Sequence, residues 1–191
     1  MEENYTVDKI FEKEDFLASP TLKGEYENCS FVNCDLSNGD FSGIIFIDCV
    51  FTSCNLSMVK LPGTVFRDVK FKDCKMLGLQ FETCNEFGLA FGFDRCNLSH
   101  SSFYRTKIKN TGFSNCQLDS VDFTACDLGG AVFHDCDLVR AKFENTSLEK
   151  ADLRTSYNYS IDPDLNRIKK ARFSLAGIPG LLDKYDITIE S

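Results

Sequence analysis

The ten cysteines are the residues of this chain with the most reactive side chains, and their spacing limits the chemistry they can do. Thiols can bind a metal ion, form disulfides or act as nucleophiles. Nine of them stand two residues before a Leu, Phe or Met, whereas Glu86 follows Cys84 at that distance. A zinc site needs four converging ligands, yet the sequence contains no CxxC pair. The spacing therefore predicts packed, unreactive thiols, with no metal site, no cofactor site and no catalytic residue.

The cysteines occupy one position of a five-residue repeat. From Cys126 the chain reads CDLGG AVFHD CDLVR AKFEN TSLEK ADLRT, so a small residue opens each unit and Leu or Phe stands at its centre. Such a short, regular period indicates stacked units that do not fold alone. The central residues run from Phe31 to Phe81 and, in a second phase, from Leu98 to Leu153, with two extra residues between the phases near residues 85–93.

A longer period of twenty residues is superimposed on the period of five. Four units in each turn of a coil would produce it, and stacked turns would lie about 4.8 Å apart. With the extra residues placed at a bulged corner, six cysteines fall into one inward column. They are Cys34, Cys54, Cys74, Cys96, Cys116 and Cys136.

This pattern resembles the pentapeptide repeat family, whose units consist of a small residue, a polar residue, Leu or Phe, and two further polar positions. The resemblance covers residues 26–155. It implies an all-β fold, a right-handed quadrilateral β-helix in which each unit forms one side. About six coils would stand roughly 30 Å tall.

Both ends of such a coil need closing, because an open β-helix exposes unpaired strand edges. Residues 1–25 are predicted to form an N-terminal cap that covers the first coil with Val7, Ile10, Phe11, Phe16 and Leu17. Residues 156–191 are predicted to form a C-terminal cap. In it, a short helix begins at Asp162 or Asp164, and a helical turn and a short strand follow Gly180.

The C-terminal tail carries a second resemblance. Its segments NYSIDP, KARFSL and GLL resemble the tail of a subset that includes the albicidin-resistance and microcin-immunity proteins and, more distantly, the quinolone-resistance proteins. In that subset the tail forms a dimer contact, so the resemblance implies a homodimer. The alternative is that the tail only caps its own coil. The candidate dimer residues are Ile178, Leu181, Leu182, Tyr185, Ile187 and Ile189.

The segment at residues 85–93 is the one clear interruption of the repeat. Its glycines permit a loop, and its four apolar side chains cannot all face the core. Loops that bulge from the helix contribute to function in the quinolone-resistance proteins, and by that resemblance the bulge is a candidate partner contact. The alternative is a simple corner that packs Phe91 or Phe93 inward. The candidate contact residues are Glu86, Phe87, Leu89 and Phe91.

Charge and hydropathy narrow the classes of partner. A formal charge of −8 disfavours direct nucleic-acid binding, which needs clustered Lys and Arg. The acidic N-terminus lacks the basic start and apolar core of a signal peptide, and no apolar run reaches membrane-spanning length. We expect a cytoplasmic protein with reduced thiols and no membrane contact.

The resemblance also implies a function. The best-understood members of the subset bind DNA gyrase or its relatives and protect them against inhibitors, and an acidic rod is proposed to mimic DNA. A non-enzymatic topoisomerase-binding protein is therefore the first expectation, and an interaction scaffold with an unknown partner is the alternative. DNA mimicry calls for a continuous acidic stripe, but the outward rows are mixed. Two of them read Asp35, Asn55, Lys75, Asn97, Gln117, Asp137 and Asp40, Lys60, Gln80, Ser102, Asp122, Lys142.

Overall fold

The structure is a computed structural model that describes residues 5–14 and 23–190. The chain winds into a right-handed quadrilateral β-helix with one five-residue unit on each side. Neighbouring coils pair in parallel at a spacing of twenty residues, so that Phe31 stands opposite Phe51 and Phe51 opposite Phe71. Past the bulge, Phe71 stands opposite Phe93 at a spacing of twenty-two.

Short strands form two of the four sides. One side is a parallel sheet in the order β1-β3-β5-β7, and the other is a parallel sheet in the order β11-β10-β9-β8-β6-β4-β2. Isolated parallel bridges, such as Asp35 to Asn55 and Asp40 to Lys60, join the coils on the remaining sides. The strands are β1 (Tyr5–Val7), β2 (Ile10–Glu12), β3 (Glu25–Glu27), β4 (Ser30–Val32), β5 (Ile45–Ile47), β6 (Val50–Thr52), β7 (Val65–Arg67), β8 (Val69–Lys72), β9 (Phe91–Asp94), β10 (Gly112–Ser114) and β11 (Val132–His134).

The backbone conformation at the corners of the coil restricts which residue types follow each central residue. The residue two places after the centre adopts a positive φ, for example 53° at Asn33, 56° at Asn38 and 72° at Gly43. Glycine and asparagine adopt this left-handed conformation at the lowest cost, which explains their frequency at corners. Arg95 also adopts it, with a φ of 51°, because the pairing on both sides of the corner leaves the backbone no alternative.

The core is a set of parallel aromatic stacks. Phe113 lies between Phe93 and Phe133, with ring centroids 5.2 and 4.8 Å away and interplanar angles of 13° and 2°. Rings on adjacent sides meet edge to face, as Phe113 and Phe123 do at 6.1 Å and 82°. Both geometries suit the aromatic quadrupole, and each buried ring contributes about 1.5–3 kcal/mol through burial alone.

At the N-terminal end, the structure corrects the predicted cap. β1 pairs with β3 and β2 with β4 in the same register as the later coils, so the described residues 5–12 extend the coil. Phe11 is buried and stacks on Phe31 at 4.7 Å, whereas Val7 and Ile10 are exposed. Phe16 and Leu17 lie outside the described residues.

At the C-terminal end, the coil continues past residue 155 and replaces the helix predicted at Asp162. Parallel bridges join Ser147 to Arg167 and Asp152 to Arg172. The five-residue spacing persists because Asn166 fills the small-residue position and its amide donates to the Phe143 carbonyl at 2.7 Å.

Two 3₁₀ helices, Leu175–Leu181 and Asp183–Tyr185, then close the end. The short strand predicted after Gly180 is absent from residues 186–190. Among residues 5–14 and 23–190, no helix has the length and apolar character needed to cross a membrane.

From the aromatic stack we predict how much the free energy of unfolding falls when a ring is removed and a cavity opens. Phe113→Ala removes a fully buried ring from between two parallel neighbours, so we expect a loss of about 3–5 kcal/mol in the free energy of unfolding. Phe87→Ala, at a side chain that is 74% exposed, is the control and should change it by less than about 0.5 kcal/mol. Chemical denaturation measures both, and equal losses would contradict the stacked core.

Candidate functional site

In several units the side chain at the small position donates a hydrogen bond within the core, whereas in others a buried alanine or valine, such as Ala131 or Val121, occupies it. The thiol of Cys54 donates to the Phe31 carbonyl at 3.3 Å and the thiol of Cys136 to the Phe113 carbonyl at 3.4 Å. In other units the hydroxyls of Thr146 and Ser156 donate to the carbonyl in the same relative place, at 2.7 and 2.8 Å. Each acceptor lies 23 residues earlier, in the preceding coil. Sequence reasoning missed this role, although Thr and Ser share the cysteine position.

The six cysteines of the column lie on one side of the coil, where bridges join each unit to the next. Nine of the ten cysteines are buried, and Cys84 is partly exposed. Burial raises the pKa of the Cys49 thiol to about 11 and that of the Cys126 thiol to about 12. Protonated, buried thiols are poor nucleophiles and poor ligands. Within the described part of the chain, no group of His, Cys, Asp and Glu could hold a metal ion.

The two histidines lie apart at the surface. His100 forms a corner with a φ of 62°. The Nε2 of His134 lies 3.2 Å from an Asp135 carboxylate oxygen, and its Nδ1 lies 3.2 Å from the Thr155 hydroxyl. These contacts are those of a solvated side chain.

The bulge is a loop of residues 85–90 that leaves the coil and returns to it. The Asn85 side chain accepts the Phe87 N–H at 2.9 Å, and Gly88 turns the chain with a φ of 71°. Ala90 rejoins the ladder by donating its N–H to the Phe66 carbonyl at 2.9 Å. The loop is thus held at both ends by hydrogen bonds.

Two phenylalanines that follow the loop point inward. The Phe91 ring lies 5.3 Å from Phe81 and 6.1 Å from Phe103, so it fills the core where the loop supplies no central residue. Phe93 stacks between Phe71 and Phe113, at 5.4 and 5.2 Å. The inward corner and the exposed loop, treated as alternatives in the sequence, therefore coexist.

Of the candidate contact residues in the bulge, Glu86 and Phe87 are exposed, Leu89 is partly buried against the core, and Phe91 is buried. Beside the loop lies a groove of about 250 Å³ that Tyr104 and Lys107 border on the other side. The bulge therefore offers a partner one large aromatic side chain next to a shallow groove.

The tail is fixed to the last coil by three kinds of contact. Tyr159 packs beneath the first 3₁₀ helix, where a Cβ on Gly177 would lie 1.9 Å from its hydroxyl oxygen. The Ile161 N–H donates to the Gly180 carbonyl at 2.8 Å. Lys184 bridges the carboxylates of Asp162, at 2.6 Å, and Asp164, and this ammonium lowers the pKa of Asp162.

The outer side of the tail is apolar. Ile187 and Ile189 are 57% and 52% exposed, and with Pro179 and Leu182 they line a cavity of about 440 Å³. Leu175, which the sequence did not single out, is 90% exposed because the 3₁₀ helix turns it away from the coil. Of the other candidate dimer residues, Ile178 and Tyr185 are exposed, Leu181 packs against the core, and Leu182 is partly buried.

Comparison with known proteins supplies a family match and a fold match. A family model described as "Pentapeptide repeat region" matches residues 25–92 and 80–153. No curated protein sequence matches the chain.

Among solved structures, a trypsin-treated variant of QnrB1, described as a plasmid-mediated fluoroquinolone resistance protein, aligns with a TM-score of 0.63 and 16% identity over 98% of this chain and 99% of that one. Full-length QnrB1 aligns with a TM-score of 0.56 and 16% identity over 96% and 100%. HetL from the cyanobacterium Nostoc, described as involved in heterocyst differentiation regulation, aligns with a TM-score of 0.49 and 15% identity over 89% and 85%.

The buried thiols predict a specific labelling pattern. In the native protein we expect a thiol reagent to modify at most Cys84, the partly exposed cysteine, because the other nine are buried. Burial raises the pKa of the Cys84 thiol too, so its labelling should be slower than that of a free thiol. A Cys84→Ser variant should lose this phase, and denaturation should expose all remaining thiols. Absorbance of the released reagent group measures the count. Rapid modification of most thiols before unfolding would contradict the buried column.

The tight contact at Tyr159 predicts that Gly177→Ala loosens the tail. The new methyl group would overlap the Tyr159 hydroxyl, so amide exchange across residues 175–185 should accelerate by about tenfold or more. Gly112→Ala is a matched control, because a Cβ there meets nothing within 4 Å. Hydrogen exchange followed by mass spectrometry measures both variants. Unchanged exchange in Gly177→Ala would show that Tyr159 does not hold the tail.

Proposed function

Because the chain belongs to the pentapeptide repeat family, we propose that it is a non-enzymatic binding protein that attaches to DNA gyrase or a related topoisomerase and protects it against inhibitors. Members of this family and its QnrB1-like neighbours are generally structural or binding proteins. The surfaces of the coil, the bulge and the tail are the parts that a partner can reach.

One observation carries the proposal. The similarity to QnrB1, a fluoroquinolone resistance protein, runs over 98% of this chain and 99% of that one, so it includes the tail as well as the coils. At 16% identity individual contact residues cannot be transferred between the two proteins. The contacts proposed for this chain therefore come from its own exposed side chains.

We place the topoisomerase contact at the bulge, where Phe87 is 74% exposed beside a groove. Large aromatic side chains next to a pocket are the usual energetic centres of protein interfaces. We place a homodimer contact at the tail, where Leu175, Ile187 and Ile189 form an exposed apolar surface. A dimer presents two bulges to a two-fold symmetric enzyme, and the paired contacts raise the affinity.

The outer rows mix acidic, neutral and basic residues, and this mixture affects how a partner is recognised. Bridges confirm that Asp35, Asn55 and Lys75 follow one another in one row. Ion pairs between coils neutralise further acids, such as Asp73 with Arg95 at 2.6 Å. The net charge of −8 steers the protein towards basic surfaces at long range, and we propose that discrete bulge and tail contacts, rather than a continuous DNA-like stripe, provide the affinity.

An interaction scaffold with another protein partner is the second candidate. The mixed outer rows favour it, because a scaffold requires no DNA-like charge pattern. The two functions share the same surfaces and differ only in the partner.

A supercoiling assay with purified DNA gyrase tests the proposal. With a fluoroquinolone present, a several-fold molar excess of the wild-type protein should restore supercoiling. Phe87→Ala should weaken this protection by about tenfold or more through loss of an aromatic anchor. Met58→Ala, another exposed apolar side chain at 59%, should leave it unchanged. Absence of any effect on supercoiling, with and without the drug, would remove the topoisomerase function and leave the scaffold.

A further inference from the structure

Between the bulge and the tail, one side of the coil concentrates basic side chains in an otherwise acidic protein. Four successive coils form this side, and parallel bridges join their outward residues in the order Lys107, Asp127, Ser147 and Arg167. Together with the residues that follow each central residue, six basic and two acidic side chains face outward here, in a chain whose net charge is −8. The six basic residues are all exposed, and we call them the basic patch: Lys107, Lys109, Lys150, Arg167, Lys169 and Lys170.

The two acidic residues on this side already have partners. The Asp127 carboxylate lies 3.2 Å from the Lys109 ammonium, and the Glu149 carboxylate lies 3.5 Å from the Arg167 guanidinium. Among residues 5–14 and 23–190, no acid forms an ion pair with the other four cations of the patch. These unpaired cations are Lys107, Lys150, Lys169 and Lys170. The basic patch therefore presents four positive charges that the described chain does not neutralise.

The unpaired cations are spread along the axis of the coil. Lys107 stands in the first of the four coils, Lys150 in the third, and Lys169 in the fourth. Since stacked coils lie about 4.8 Å apart, the first and the last are about 14 Å apart, a distance that an extended peptide covers in about five residues. Between them, Gly129 and Gly130 carry no side chains and leave a depression of about 230 Å³. A ligand that meets all four charges must itself carry several charges over this length.

The backbone of the depression is not arranged to hold a small phosphate. Backbone phosphate sites use free N–H groups that converge on the anion. Here the Gly129 N–H donates to the Asp127 carboxylate at 3.1 Å, and the Gly130 N–H donates to the Glu149 carbonyl at 2.8 Å. The Lys150 N–H is likewise engaged, by the Lys169 carbonyl at 3.0 Å. The basic patch therefore attracts an anion through its spread side-chain charges.

The surroundings of the basic patch disfavour a long polyanion such as duplex DNA. At the level of the patch, the adjacent sides expose the acidic residues Asp135 and Glu144. Beyond the bulge, the same side of the coil becomes acidic, with Glu25, Glu27, Asp48 and Asp68 against one Arg67. A duplex that extended past the patch in these directions would meet like charge. A short acidic ligand stays within the patch.

We propose that the basic patch binds a short, extended acidic peptide segment of a protein partner. The peptide runs along the coil axis over the two glycines, with carboxylates near Lys107 at one end and near Lys150, Lys169 and Lys170 at the other. Because the lysines are exposed, the contact is weak and falls as salt is added. It uses neither Phe87 of the bulge nor the apolar surface of the tail, so it is separate from both contacts of the proposed function.

Fluorescence polarisation with a fluorescein-labelled hexaglutamate peptide tests the proposal on the full chain. At a salt concentration of about 20 mM we expect saturable binding with a Kd of about 100 µM, which weakens by about tenfold at a salt concentration of about 150 mM. Lys150→Glu/Lys169→Glu/Lys170→Glu should weaken binding by about tenfold or more, because it places like charge at one end of the peptide. Lys107→Glu should weaken it by about threefold, because the peptide reaches the other end of the patch.

The matched control is Lys60→Glu/Lys75→Glu/Lys142→Glu, which makes the same change in net charge at exposed lysines on other sides of the coil. It should change the Kd by less than about threefold, as should Lys150→Arg/Lys169→Arg/Lys170→Arg, which keeps the charge of the patch. Absence of binding, or an equal loss in the control and in the patch variant, would overturn the proposal. An unchanged Kd in Lys107→Glu would also overturn it, because the ligand would not span the patch.

Two competition measurements separate the peptide from other anions. Inorganic triphosphate that displaces the labelled peptide more effectively than unlabelled hexaglutamate would overturn the proposal and identify a phosphate site. A short DNA duplex that binds more tightly than hexaglutamate, in a manner lost in Lys150→Glu/Lys169→Glu/Lys170→Glu, would overturn it and identify a nucleic-acid surface. None of these measurements uses gyrase, so this proposal and the proposed function fail separately.

Discussion

The structure depends on one constraint, the parallel pairing of each residue with the residue one coil away. Because the described coils other than the one with the bulge have four five-residue sides, this pairing stacks like on like, and Phe113 meets Phe93 and Phe133 almost face to face. The side chains that stack must be of similar size, and the position beside them usually holds a smaller side chain. Cysteine, threonine and serine fit this position and also donate to a neighbouring carbonyl, so the buried cysteines are explained by packing and hydrogen bonding rather than by reactivity.

The same constraint explains where function can lie. Stacked rings fill the core, and the outer faces, the bulge and the tail carry the surfaces that a partner can reach. At the bulge, two extra residues lift Phe87 out of the coil while Phe91 replaces the missing central residue. The interruption therefore exposes an aromatic side chain and leaves the stack continuous.

Much of this could be predicted from the sequence, because residue size at a period of five is visible without a structure. The column of six cysteines and the turn of twenty residues follow from it.

The ends could not be predicted equally well. Thr6 stands opposite Tyr26 and Asn158 forms a corner at a φ of 59°, so the coil persists where bulky apolar residues no longer mark it. Coils at the ends have fewer neighbours, which relaxes the requirement on side-chain size. The position of the bulge could be predicted, but which of its residues point inward could not. Two extra residues shift the five-residue phase somewhere within the segment, and only the stacking of Phe93 on Phe71 shows where the phase resumes.

The central claim is that the chain acts by binding a topoisomerase through its outer surface, and calorimetric titration of purified DNA gyrase with this protein tests it most directly. The account predicts saturable binding with a Kd of about 10 µM or tighter, which is lost when the protein is unfolded. Absence of heat and of complex formation at a protein concentration well above that value would contradict it.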